Sequence, residues 1–183
     1  MPDSLATPVA AADIAEWYEL DAEGRVTAVC PDWDAVASRG GAPAGSLQGS
    51  VIGQPLIRFI SGDATRMYMD AALQAVRVTG QPRTLRYRCD TPVVRRSMEM
   101  TLRPRAGGAV RIEHRLIDQQ ARVRGLTCYT DDAPGPQSVG SAIMRCSVCL
   151  RLQRASLPWE EPEQVASPRL MVRYTVCARC QIR

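Results

Sequence analysis

The chain has 183 residues and a mass of 20.1 kDa, enough for one ordinary domain with a small appendage or for two small domains. Apolar residues make up 45% and charged residues 23%, and the formal net charge is +4. All 23 basic residues are Arg and there is one His against seven Cys, which excludes a Schiff-base lysine, a P-loop lysine and any site needing two histidines.

Residues 1–13 read as a flexible tail, with a short helix over Ala10 to Trp17 carrying Ile14 and Trp17 on one side. Tyr18 to Asp21 reads as a strand, Ala22-Glu23-Gly24 as its turn, and Arg25 to Cys30 as a second strand. Gly24 supplies the positive φ that such hairpin turns often need. A short helix is expected around Asp32 to Ser38, and the Gly-rich stretch 39–50 is expected to be loop. Asp63-Ala64-Thr65 opens a better helix, capped by Asp63 or Ser61. Met69, Leu73 and Val76 form its apolar stripe, and Gly80 and Pro82 end it.

Three strands follow. In 84–90, Leu85, Tyr87 and Cys89 oppose Thr84, Arg86 and Arg88. In 96–103, Met98, Met100 and Leu102 oppose Ser97, Glu99, Thr101 and Arg103. In 109–117, Val110, Ile112, His114 and Leu116 oppose Arg111, Glu113 and Arg115, after a turn at Gly107-Gly108. Such alternation marks antiparallel strands with one wet, charged face, on which Arg and Glu can pair across strands. The order of elements gives an α+β fold, a five-stranded antiparallel sheet with helices on one face. Residues 121–142 read as a linker, because 130–141 lack apolar periodicity.

Tyr18-Glu19-Leu20-Asp21-Ala22-Glu23-Gly24-Arg25-Val26, then Asp32-Trp33, then Val51-Ile52-Gly53-Gln54-Pro55-Leu56, resemble in this order the opening segments of a PAS domain. The resemblance covers about residues 14–120. It implies a fold whose sheet and helices enclose a ligand cavity, and a role in sensing ligands, binding cofactors or contacting proteins, often as a dimer. Arg88-Cys89-Asp90-Thr91-Pro92 and Arg95-Arg96-Ser97-Met98-Glu99-Met100 resemble small bacterial PAS proteins that end in a Cys-x-x-Cys…Trp…Cys-x-x-Cys tail. Trp159 stands where that Trp would. The tail of those proteins often carries Ser-His-Gly before the second pair, and here Arg173-Tyr174-Thr175 replaces it.

Cys146-x-x-Cys149 and Cys177-x-x-Cys180 flank residues 150–176. Two such pairs can point four thiolates at one ion, an all-sulfur set that suits structural Zn²⁺ and leaves no open position for metal catalysis. Disulfide or thiol-redox chemistry and an iron site are the alternatives. The spacer leaves room for a hairpin around Pro158 and Trp159 and for a last strand with Leu170, Val172, Tyr174 and Val176. Residues 143–183 thus read as a four-cysteine zinc-ribbon-like module, too poor in large apolar groups to fold without a staple.

His114 lies on the face that, in a PAS fold, lines the cavity. It is read either as a haem ligand or polar contact to a bound molecule, or as a partly buried His bonded to a neighbour. Cys89 is expected to point inward as a small hydrophobe, and Met67, Met69, Met98 and Met100 to form a soft cluster. No catalytic set can be assembled, so an enzyme is not expected. The leading reading is a cytoplasmic PAS-type sensory and regulatory protein. It would signal through protein contact, possess a structural zinc and form a homodimer through the PAS domain. A PAS-gated nucleic-acid-binding regulator and a thiol-based redox or metal sensor are the alternatives. No secretory signal or membrane span is expected. The tail carries the +4 charge, and four thiolates on one Zn²⁺ would halve it.

Overall fold

The computed structural model describes residues 16–39, 44–122, 125–130, 143–165 and 169–181. Most of the helix expected over Ala10 to Trp17 lies outside them. Glu16 and Trp17 belong instead to strand β1, Glu16–Leu20. Trp17 sits on the wet face, under the Arg111 guanidinium at 3.8 Å from its ring centre, so its apolar surface is covered without entering the core. A turn joins β1 to β2, Val26–Val29, with the Gly24 amide bonded to the Asp21 carbonyl and Gly24 at φ 80°.

Helix α1, Trp33–Arg39, matches the expected short helix. The stretch expected to be pure loop contains a 3-10 turn, Ala44–Ser46, and part of α2, Gln48–Val51. Helix α3, Asp63–Thr79, buries Leu73 and Val76 as its spacing implied, and Gly80 closes it in the left-handed region. Its N-cap is Gly62, with no side-chain cap. Neither expected cap, Asp63 or Ser61, fills that place: Asp63 lies in the first turn and pairs with Arg66, and Ser61 precedes Gly62. Gly62 is required twice over: its φ is +82°, and a Cβ there would meet the Tyr174 Cβ at 2.8 Å.

Strands β3, Arg83–Arg88, β4, Val94–Pro104, and β5, Val110–Ala121, complete an antiparallel sheet in the order β2-β1-β5-β4-β3. The molecule is therefore α+β, with a five-stranded antiparallel sheet and few helices. Leu20, Leu102, Val110 and Ile112 of the sheet pack against Val51, Leu56, Leu73 and Val76. Truncating a fully buried Leu such as Leu102 to Ala typically costs about 2–5 kcal/mol. The opposite face carries the cross-strand pairs that the alternation implied: Glu99 meets Arg115 at 2.6 Å and Arg86 at 3.5 Å, and Glu113 meets Arg103 at 2.9 Å.

The segment read as a linker contributes strand β6, Thr127–Tyr129. It joins β7, Ile143–Cys146, β8, Leu152–Arg154, and β9, Arg169–Thr175, in a second sheet of order β6-β9-β7-β8. β9 runs parallel to both β6 and β7, while β7 and β8 form an antiparallel hairpin. The residues around Pro158 and Trp159 return to β8 through a bridge between Leu152 and Glu160. Leu126, Leu152, Leu170 and Val172 form a small core of their own. A last helix, α4, Ala178–Gln181, follows.

The second sheet docks on the outer edge of the first. The Arg88 amide of edge strand β3 donates to the Val148 carbonyl at 2.8 Å, which covers part of an edge that would otherwise be open to pairing. The Thr65 and Ser147 hydroxyls are hydrogen-bonded across the junction. This docking corrects two expectations. Arg88, expected on the wet face, is buried, with its side chain 8% exposed, and Cys89, expected inside, is exposed. The strand ends at Arg88 as the docked segment takes over the covering of that edge. Met67 is 72% exposed and leaves the expected Met cluster, while Met98 and Met100 are buried.

Candidate functional site

Two local turns bring the four cysteines together. Between β7 and β8, the Leu150 amide bonds back to the Cys146 carbonyl at 2.9 Å, with Leu150 in the left-handed region at φ 60°. At the start of α4, the Cys180 amide bonds to the Cys177 carbonyl at 2.8 Å. β7 and β9 lie side by side with Cys146 opposite Thr175, so the two turns meet at one end of the second sheet. The sulfurs of Cys146, Cys149, Cys177 and Cys180 all lie within 4.8 Å of one another.

This cluster fits a metal ion. Zn–S bonds of about 2.3 Å in a tetrahedron place sulfurs about 3.8 Å apart, and Cys149 and Cys177 stand at 3.8 Å. Cys146, Cys177 and Cys180 are buried. The Cys177 amide donates to the Cys146 sulfur at 3.4 Å. A hydrogen bond from the Cys149 thiol, together with backbone amides, draws the Cys146 pKa down to about 4. The same bond pushes Cys149 well above the ordinary thiol range. Burial pushes Cys180 up to about 12. One thiolate is thus prepared by hydrogen-bond donors, while Cys149 and Cys180 need a cation to lose their protons. Trp159, Val148 and Tyr68 pack around the cluster, and Tyr68 comes from α3 of the first sheet's layer.

His114 lies elsewhere, on β5 in the wall of an apolar cavity of about 390 Å³ between the first sheet and the helical segments. Its Nδ1 is 2.8 Å from the Tyr87 hydroxyl, its ring stacks on Tyr18 with centroids 5.6 Å apart, and Tyr87 meets it edge-on. Burial lowers its pKa from 6.5 to about 4. The ring is neutral at pH 7. The surroundings do not fit haem. Among the described residues none that lines the cavity is cationic, so the two propionates would have no partner there, and the space equals roughly a dozen waters.

The sign of the His114 effect follows from linkage. Its folded pKa lies below the unfolded value, so its neutral burial is free above pH 6.5 and opposes folding as pH falls toward 4. The expected loss is up to about 3 kcal/mol across that window. His114→Gln should flatten the dependence of denaturant-unfolding stability on pH between 6.5 and 4. An unchanged slope in the variant would contradict it.

Two features of the site were not legible in the residue pattern. Tyr18 and Tyr87 supply the polar groups next to His114 in the cavity. Arg88, Asp90, Arg122, Arg151, Glu161 and Glu163 form a charge-balanced network beneath the docked second sheet. Arg88 pairs with Asp90 and with Glu161 at 2.8 Å, Arg122 with Glu163 at 2.9 Å, and Arg151 with Glu161 at 2.8 Å. The Arg88–Glu161 partners stand 73 positions apart, a distance at which no local spacing carries a signal.

No protein-family model matches the chain, and no curated protein matches it. Among solved structures it is similar to a domain of an HTR-like protein from Haloarcula marismortui, at 18% identity and a TM-score of 0.39. The match covers 57% of this chain and 98% of that one. At that identity and score the likeness bears on neither family nor function. Among the described residues no helix is long and apolar enough to cross a membrane.

Proposed function

We propose that the chain is a PAS-type sensory and regulatory protein, without enzymatic activity, that holds a structural zinc in its C-terminal module and signals by protein contact. The observation that carries this reading is that one helix serves both sites. Met69 of α3 lines the cavity while its neighbour Tyr68 packs against the four cysteines. A molecule entering the cavity would press on the same helix that seats the metal module. Two arrangements of the module would then differ in population, which is all that signalling requires.

The four-cysteine set supports a structural role for zinc, since four protein ligands leave no position for substrate. A nucleic-acid-binding role draws less support. Arg151 and Arg154 of the module are engaged by Glu161 and Glu160 at 2.8 Å, and such pairing reduces the charge offered to phosphates.

Met69→Trp tests the coupling, because a larger side chain mimics an occupied cavity. Hydrogen exchange at β9 and α4 is expected to change several-fold while exchange at Leu102 and Ile112 is preserved. If β9 and α4 exchange as in the parent chain, the cavity does not signal to the module.

A further inference from the structure

The cavity is polar at few points, and most of these are already satisfied. The Trp33 Nε1 donates to the Ser46 carbonyl at 2.8 Å, and the Tyr87 hydroxyl is bonded to His114 Nδ1. Tyr18 differs. It lines the cavity and is 8% exposed, yet among the described residues its hydroxyl has no hydrogen-bond partner. A hydroxyl that opens into a mostly apolar cavity is free to donate to a molecule bound there.

The rest of the wall sets the chemistry of that partner. Val26, Val51 and Leu56 are apolar, and Trp33, Phe59 and Tyr87 offer aromatic surface. Among the described residues no Arg, Asp or Glu lines the space. A carboxylate or phosphate entering it would lose its water and meet no counter-charge.

We infer that this cavity binds an uncharged aromatic molecule of roughly a dozen to twenty non-hydrogen atoms, which presents a carbonyl or ring-nitrogen acceptor to the Tyr18 hydroxyl. The inference rests on the sensory reading and names its ligand class. The Tyr18 hydroxyl donates to the acceptor, and the flat body lies among Trp33, Phe59 and Met69. Specificity follows from the two requirements together. An acceptor-free hydrocarbon leaves Tyr18 unpaired, and an anion leaves its own charge unpaired.

The test uses the full chain at pH 7.5 and two probes of nearly equal shape, 2-naphthamide and 2-naphthoate, in calorimetric titrations. 2-Naphthamide should bind, and 2-naphthoate at least about tenfold more weakly. Tyr18→Phe, which removes only the hydroxyl, should weaken 2-naphthamide about five- to tenfold. If that variant does not fold, the two-probe comparison on the parent chain decides alone. Equal or tighter binding of 2-naphthoate, or an unaltered affinity in Tyr18→Phe, overturns the ligand class and leaves the sensory reading standing. Binding of neither probe at millimolar concentration overturns both.

Discussion

Cys146→Ser, or removal of metal by a chelator, is expected to unfold the second sheet while the first remains folded. Cys146 is fully buried, and the Cys177 amide donates to its sulfur. The second sheet's own core is Leu126, Leu152, Leu170 and Val172. Those four side chains contribute a few kcal/mol each at most, against the conformational entropy of ordering four strands and α4. A structural Zn²⁺ adds about 10–16 kcal/mol at neutral pH, far more than any other single contribution to that half. The check is hydrogen exchange with metal content measured per chain. Amides of Leu152, Leu170 and Val172 should lose protection, and those of Leu102 and Ile112 should keep it. Undiminished protection of β9 after metal is stripped, or a purified chain with no metal, would end the structural-zinc reading.

The second large effect is expected at Asp90. Its side chain is 1% exposed and accepts from Arg88 and from the Arg96 amide at 3.1 Å, with Arg122 at 3.6 Å. Asp90→Ala would take from Arg88 and Arg122 the most buried of their counter-charges and leave only the more exposed Glu161 and Glu163 to balance them. Breaking a buried pair from one side typically costs about 3–5 kcal/mol, more than the intact pair contributes, because the stranded charge cannot regain its water. Equilibrium urea unfolding measures the loss. Replacing both partners, Arg88→Met with Asp90→Leu, should cost less than Asp90→Ala alone. If the single and double variants lose the same stability, the stranded-charge account fails. Since Arg88 and Arg122 also hold Glu161 and Glu163, the single variant should in addition loosen the second sheet from the edge of β3.

These two expectations divide along what local pattern can carry. The cysteine spacing was enough to expect a four-sulfur cluster, because a Cys-x-x-Cys turn orients both thiols whatever surrounds it. The alternation in β3, β4 and β5 was enough to expect the antiparallel sheet and its Arg–Glu face, because period two is a property of the strand itself. The stripe of α3 was legible for the same reason. Arg88 and Cys89 show where this ends. Alternation reports which side chains share a face and is silent on what later covers that face. Residues 127–129 show it too. Three residues are too short for a pattern, and β6 exists because β9 offers it an edge.

Composition excluded lysine chemistry and two-histidine sites, spacing placed four thiolates at one point, and periodicity built the first sheet. Each of those is written in neighbours along the chain. The tertiary structure alone decided that Arg88 lies inside and Cys89 outside, that position 62 must be Gly against Tyr174, and that α3 stands between cavity and metal cluster. It also decided that the Tyr18 ring stacks on His114 across strands in the cavity wall. Those outcomes depend on how two sheets dock, and docking is set by contacts between residues dozens of positions apart.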